Sequence, residues 1–400
     1  MRNFWKALLA LAVIAAGVAF WAPGPGASSD HFVVVNDNNL NQMKGQTTAT
    51  VLDFVNGANP SLQVAKTLLT RAKNEDSTGG LNQVAMSRQG PNVCIFVGDN
   101  INSAIASFQY PSYVKAGDYH FPGVTQTANL AVAARGDYVY GSFGNDEEES
   151  NVLGVWKIGS GCALSLANQA SIPDSLNSMA VSPDGKTLVV VYFTLTGELD
   201  SFSIGANGSL TEHGPYQGGF ALPGGVDITA DSRFAVIGQT GDPAYTQIGI
   251  WSITSDGGLG TDYIYGGNGE LGYGLSAGWV WLSPNEKFLF VTDVSGRVNQ
   301  VTTLNFNEGS LGHPQGIPTV TYTGCFVKSQ AALLGGLATA LPSGSGGYLY
   351  VDAYDNPHGR VALYSINPEN GCLKAVPGSP FATGQNGGVT SLAGWPPRPF

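Results

Sequence analysis

Short apolar segments recur along this chain about every fifty residues, a period that points to a repeat architecture. Seven copies stand at Val84–Ser87, Leu130–Ala133, Met179–Ser182, Val226–Thr229, Val280–Ser283, Thr339–Pro342 and Thr390–Ala393. Most are followed by a tight polar turn, as in Ser182-Pro183-Asp184-Gly185 and Ser283-Pro284-Asn285-Glu286. Proline presets φ, and Gly or Asn accepts the turn geometry, so each turn predicts a hairpin. The returning strand is a continuous run such as Tyr138 to Phe143, Leu188 to Phe193 or Phe288 to Thr292. Runs of this kind are buried on both faces. A third strand alternates apolar and polar residues, as at Val152 to Ile158 and Ile248 to Ile253, which predicts one half-buried face. A second turn, for example Ala206-Asn207-Gly208-Ser209, leads to an outermost strand.

Four antiparallel strands per repeat define a propeller blade. The seventh inner segment lies too near the C-terminus to start a complete blade, and the missing strands are found at the other end, at Phe32 to Val35, Thr50 to Val55 and Leu62 to Leu69. The expected fold is therefore all-β: a seven-bladed β-propeller whose blade 1 is closed by strands from both termini, spanning residues 30–400. An open β-sandwich is the competing fold, but complementary ends fit a ring better.

Composition adds the compartment. Arg2 and Lys6 precede an apolar stretch from Ala7 to Phe20 that Pro23 and Pro25 end, so residues 1–29 read as signal peptide and linker. An uncleaved anchor is the alternative. The expected location is secreted or periplasmic, with no membrane association after cleavage. Four cysteines then sit where disulfides persist, and three pairings are open. Their places in the repeat favour Cys94 with Cys162 and Cys325 with Cys372. With 18 Lys and Arg against 29 Asp and Glu, the net charge of -11 lacks the basic stripe that a nucleic-acid partner requires. Gly-rich phosphate loops and a nucleophile elbow are also missing from any strand-to-helix context.

The run Ser-Pro-Asp-Gly-Lys-Thr-Leu-Val-Val-Val at 182–191 resembles the blade motif of the YVTN and lactonase-type seven-bladed propellers, which include 6-phosphogluconolactonases. The resemblance spans nearly the whole mature chain and implies hydrolysis of a lactone. In that family the approach to each innermost strand tends to carry His or Arg. Here those segments read Leu81-Asn82-Gln83, Ala128-Asn129, Leu176-Asn177-Ser178 and Gly335-Gly336-Leu337, without either residue. No catalytic residue is carried over, and a phosphorylated substrate lacks the cationic contacts it would need.

Candidate chemistry lies in the loops between second and third strands, which rim one mouth of the channel. Asp37, Asp99, Asn145, Asp146, Asp242 and Asp293 supply oxygen ligands from several blades; such a rim suits a ligand or Ca²⁺, although Asp and Asn also favour plain turns. No cofactor is required. In blade 7, Tyr354-Asp355-Asn356-Pro357-His358-Gly359-Arg360 is where carboxylate, imidazole and guanidinium cluster. His358 fits a general base, Arg360 an oxyanion stabiliser and Asp355 the group that orients the imidazole. His213 and His313 fall on outer strands, and His120 in a linker. Two functions follow: a lactonase-like hydrolase acting on a small sugar-derived lactone at the channel mouth, or a non-catalytic extracellular propeller binding a ligand, cation or protein. Either is expected to act as a monomer.

Overall fold

The computed structural model describes residues 31–38, 48–70, 83–99, 103–124, 127, 130–144, 151–192, 194, 197–217, 223–239, 247–265, 277–293, 300–307, 317–328, 337–340, 347–355, 358–386 and 388–396. His31–Phe400 cluster as one compact unit. The segment read as signal peptide and linker lies outside the described residues.

Seven antiparallel sheets form the blades. Their innermost strands are Gly388–Trp395 in blade 1, then Val84–Gln89, Val132–Arg135, Leu176–Val181, Pro223–Ile228, Ala277–Leu282 and Leu337–Ala340 in blades 2 to 7. Each touches the next, and Leu337–Ala340 touches Gly388–Trp395, which closes the cycle against Val84–Gln89. Blade 1 is composite: Gly388–Trp395 pairs with Phe32–Asn38, placing Leu392 opposite Val35 and Trp395 opposite Phe32. The outermost strands of blades 4 and 7 are broken into two pieces, Leu210–Glu212 with Tyr216–Gln217 and Leu373–Ala375 with Phe381–Asn386.

The core is a ring of seven apolar layers, one between each pair of adjacent blades. Strand alternation explains why second strands are apolar throughout. In blade 4, Leu188, Val190 and Tyr192 pack toward blade 3, while Val189 and Val191 pack toward blade 5.

The turns after the innermost strands repeat one hydrogen-bond design. Ser182 Oγ donates to Asp184 Oδ1 at 2.6 Å and accepts from Thr187 N at 2.9 Å, while Asp184 Oδ1 accepts from Lys186 N. Thr229 with Asp231, and Ser283 with Asn285, do the same in blades 5 and 6. The residue after each Asp or Asn takes positive φ, +73° at Gly185 and +63° at Ser232.

Adjacent blades are stitched at two levels. At the turns, Ser87 Oγ donates to Gly136 O, Arg135 Nη2 to Pro183 O, Asp184 N to Ser232 Oγ, and Ala230 N to Glu286 Oε1. Higher in the channel, a side chain on or just before one innermost strand accepts an amide from the next. Val84 N donates to Ser391 Oγ, Val132 N to Gln83 Oε1, Val226 N to Ser178 Oγ, and Leu282 N to Asp227 Oδ2. These amides lie on edge strands, where an unmet buried donor is costly. Two disulfides also cross blade boundaries: Cys94–Cys162 links blades 2 and 3, and Cys325–Cys372 links blades 6 and 7.

Asp227 carries most at the inner level, because its carboxylate also accepts Ile228 N at 2.8 Å. Asp227→Ala is expected to cost about 2–4 kcal/mol in urea unfolding by leaving two buried amides without this acceptor, and Asp227→Asn about half as much.

Candidate functional site

The cluster predicted in blade 7 is held by one hairpin. Tyr348–Asp355 and His358–Ile366 pair so that Asp355 stands opposite His358 and Ala353 opposite Arg360. On its other side this third strand meets Phe381–Asn386, with His358 opposite Asn386. His358 and Arg360 are two residues apart on one strand and so share a face. His358 is exposed and Arg360 half-buried. The backbone thus brings Asp355, His358 and Arg360 to one end of the blade.

The rim acids occupy equivalent places. Asp37, Asp99 and Asp293 stand at or near the ends of the second strands of blades 1, 2 and 6, as Asp355 does in blade 7. Asp99 is not a solvated rim residue: it is buried, opposite Ala104 in the ladder. Asn145, Asp146 and Asp242 lie outside the described residues. Among the described residues, no three His, Cys, Asp or Glu side chains gather closely enough to hold a metal.

The sequence placed the site at the rim mouth of the channel; the residues that wall the channel were not among the candidates. A cavity of about 220 Å³ is lined by the innermost strands of blades 1 to 6. Its walls include Met86, Met179, Trp279, Trp281, Leu392 and Trp395. Arg135, Gly394 and Trp395 bring it to the mouth formed by the first turns, opposite the mouth that the rim acids surround. His358 and Arg360 do not line it. The polar groups on its wall, Gln83, Ser178, Asp227 and Ser391, are the acceptors that stitch the blades. Trp279 lies so close over blade 5 that a Cβ on Gly225 would strike its indole. Gly225 is therefore required for contact and not for a turn.

Other candidates resolve into packing. His213 Nε2 lies 3.1 Å from Ser203 Oγ beside the outermost strand of blade 4. His120 ends the strand Val114–His120, paired with Ala104, so the linker expected there is a regular outermost strand. His313 falls outside the described residues. Tyr263 and Tyr265 pack ring to ring, and Tyr265 Oη donates to Pro318 O.

No protein-family model matches the sequence, and no curated protein matches it. Among solved structures the chain is similar to a proposed 6-phosphogluconolactonase from Bacteroides uniformis, with TM-score 0.64, 14% identity, and coverage of 92% of this chain and 100% of the other. A periplasmic gluconolactonase from Pseudomonas aeruginosa gives TM-score 0.57 at 14% identity, covering 88% and 97%. A protein of unknown function from Desulfotomaculum acetoxidans gives 0.60 at 14%, covering 90% and 98%. The shared property is the seven-bladed fold. Among the described residues no helix is long and apolar enough to cross a membrane.

One titratable group stands apart. Asp200, on the third strand of blade 4, is fully buried. Burial pushes its carboxyl up from the ordinary 3.8 to about 7, and nearby Glu212 adds to the rise, against the hydrogen bonds from the Ser201 and Gly214 amides. Tyr192 Oη, 3.5 Å away, is pushed up by the same burial and by Asp200. A carboxyl whose pKa is raised by folding is held protonated in the native state, so its stabilising proton is lost as pH rises. The contribution of Asp200 should be full below about pH 4 and fall until about pH 7. Urea unfolding from pH 4 to pH 8 is expected to show wild type losing roughly 1–3 kcal/mol relative to Asp200→Asn, with the variant the flatter of the two.

Proposed function

We propose that this protein is an exported propeller that takes a small ligand into its central channel. The observation that carries this reading is the cavity between the innermost strands, walled by tryptophan and methionine and large enough for a single ring. An apolar cavity of about 150 Å³ holds benzene. Export is supported by the two disulfides, which persist outside the reducing cytoplasm, and by the basic and apolar N-terminal pattern. Titration with ring-sized probes should change tryptophan fluorescence saturably. Ala180→Leu, which adds bulk to the cavity wall at a residue that also packs against the layer between blades 4 and 5, should weaken that binding about tenfold or more at a stability cost of about 1–3 kcal/mol. Unchanged binding in that variant would move the ligand out of the channel.

A second reading, hydrolysis of a neutral sugar-derived lactone, is favoured by the blade-7 hairpin. His358 would activate water, Asp355 would orient the imidazole and Arg360 would stabilise the oxyanion. The likeness in fold to proteins described as gluconolactonases adds support. On a panel of neutral lactones, with and without Ca²⁺, His358→Ala should lower kcat about 100-fold or more with little change in KM. Turnover retained in that variant would place the chemistry elsewhere.

A further inference from the structure

We propose that the turn-side mouth of the channel binds a planar aromatic carboxylate, its ring between tryptophan and methionine walls and its carboxylate on Arg135, with Arg88 at the entrance. The assignment rests on the channel-binding reading and names its ligand class.

The apolar part follows from the wall. Trp281, Trp395, Met86 and Met179 offer flat and polarizable surface, which suits a ring. A sugar ring presents hydroxyls on every side and would need many hydrogen-bond partners. The oxygens of Gln83, Ser178, Asp227 and Ser391 are already engaged by backbone amides. At about 220 Å³ the space takes one ring with a short substituent.

The anionic part follows from two guanidinium groups. Arg135 lines the cavity and is half-buried, with Nη2 donating to Pro183 O at 2.5 Å. A guanidinium carries five donors in a planar fork suited to a carboxylate. Burial lowers the Arg135 pKa, with Asp184 opposing the shift, so an added anion would relieve the cost of desolvating the cation. The exposed Arg88 lies over the ring of Trp395, its Cζ 5.5 Å from the ring centroid. The acids facing this mouth are already engaged. Asp227 accepts two amides, Glu286 accepts Ala230 N, Asp184 accepts Ser182 Oγ and Lys186 N, and Asp137 Oδ1 lies 3.5 Å from Gln89 Nε2.

The test compares benzoate with benzamide, which share a ring and differ in charge, by calorimetry on the full mature chain. The expected result is saturable binding of both, with benzoate about tenfold tighter and weakened by added NaCl while benzamide is not. Arg135→Gln should bring the ratio close to one, whereas Arg135→Lys should keep part of it. Arg88→Gln, an exposed change that leaves the core untouched, should reduce the benzoate preference about two- to threefold. Equal binding of the two probes by wild type would overturn the carboxylate assignment and leave the channel reading in place. Binding of neither probe would overturn the aromatic class, and the channel reading would then be judged by Ala180→Leu with other ring-sized ligands. A benzoate preference that persists in Arg135→Gln and Arg88→Gln would overturn the roles given to both arginines.

Discussion

Ring closure is the constraint on which the rest of this structure depends. Each apolar layer lies between two blades, so no blade has a core of its own. Val33 and Val35 face blade 7 while Phe32 and Val34, on the same strand, face blade 2. A break at any boundary would expose the apolar faces of two sheets. Pairing Gly388–Trp395 with Phe32–Asn38 places the two ends of the described chain in one ladder, so that closure runs through the interior of blade 1. Phe32 stacks on Tyr110 of blade 2, with ring centroids 4.1 Å apart, so the composite blade is tied to its neighbour by aromatic packing as well.

Closure also shapes the channel. Seven innermost strands present edges to the axis, and edge amides must find acceptors. Side chains from the preceding blade supply them at Val84, Val132, Val226 and Leu282. The polar groups of the channel wall are thereby drawn into holding the ring, and the remaining surface is tryptophan, methionine and aliphatic. The ligand site proposed for this channel would inherit its character from that division of labour, with Arg135 at the mouth supplying charge.

The architecture was legible because the repeat carries its own physics. The Ser-x-Asp-Gly pattern at 182–185 specifies a turn whose side chains bond its own backbone, and continuous apolar runs signal strands buried on both faces. The complementary ends were readable from the incomplete seventh copy. A channel mouth was expected, but the make-up of the channel wall was not legible. Gln83, Ser178, Asp227 and Ser391 are isolated polar residues in or beside apolar strands, and only the ring brings each beside an amide some fifty or more residues away in sequence. Asp200 was hidden for a similar reason, since its carboxylate meets Gly214 in the break of the outermost strand of blade 4 and the Ser201 amide beside it. The blade-7 cluster was legible as three residues in one loop, and the hairpin register shows why they stand together.

The most direct test of the account is native-state hydrogen exchange at the amides of Val84, Val132, Val226 and Leu282. If side chains from neighbouring blades hold these edge amides and closure makes the ring one cooperative unit, all four should exchange only through global unfolding, with the same free energy as the second-strand amides. Fast exchange at the four, with second strands still protected, would show that the inner edges open separately and would contradict the account.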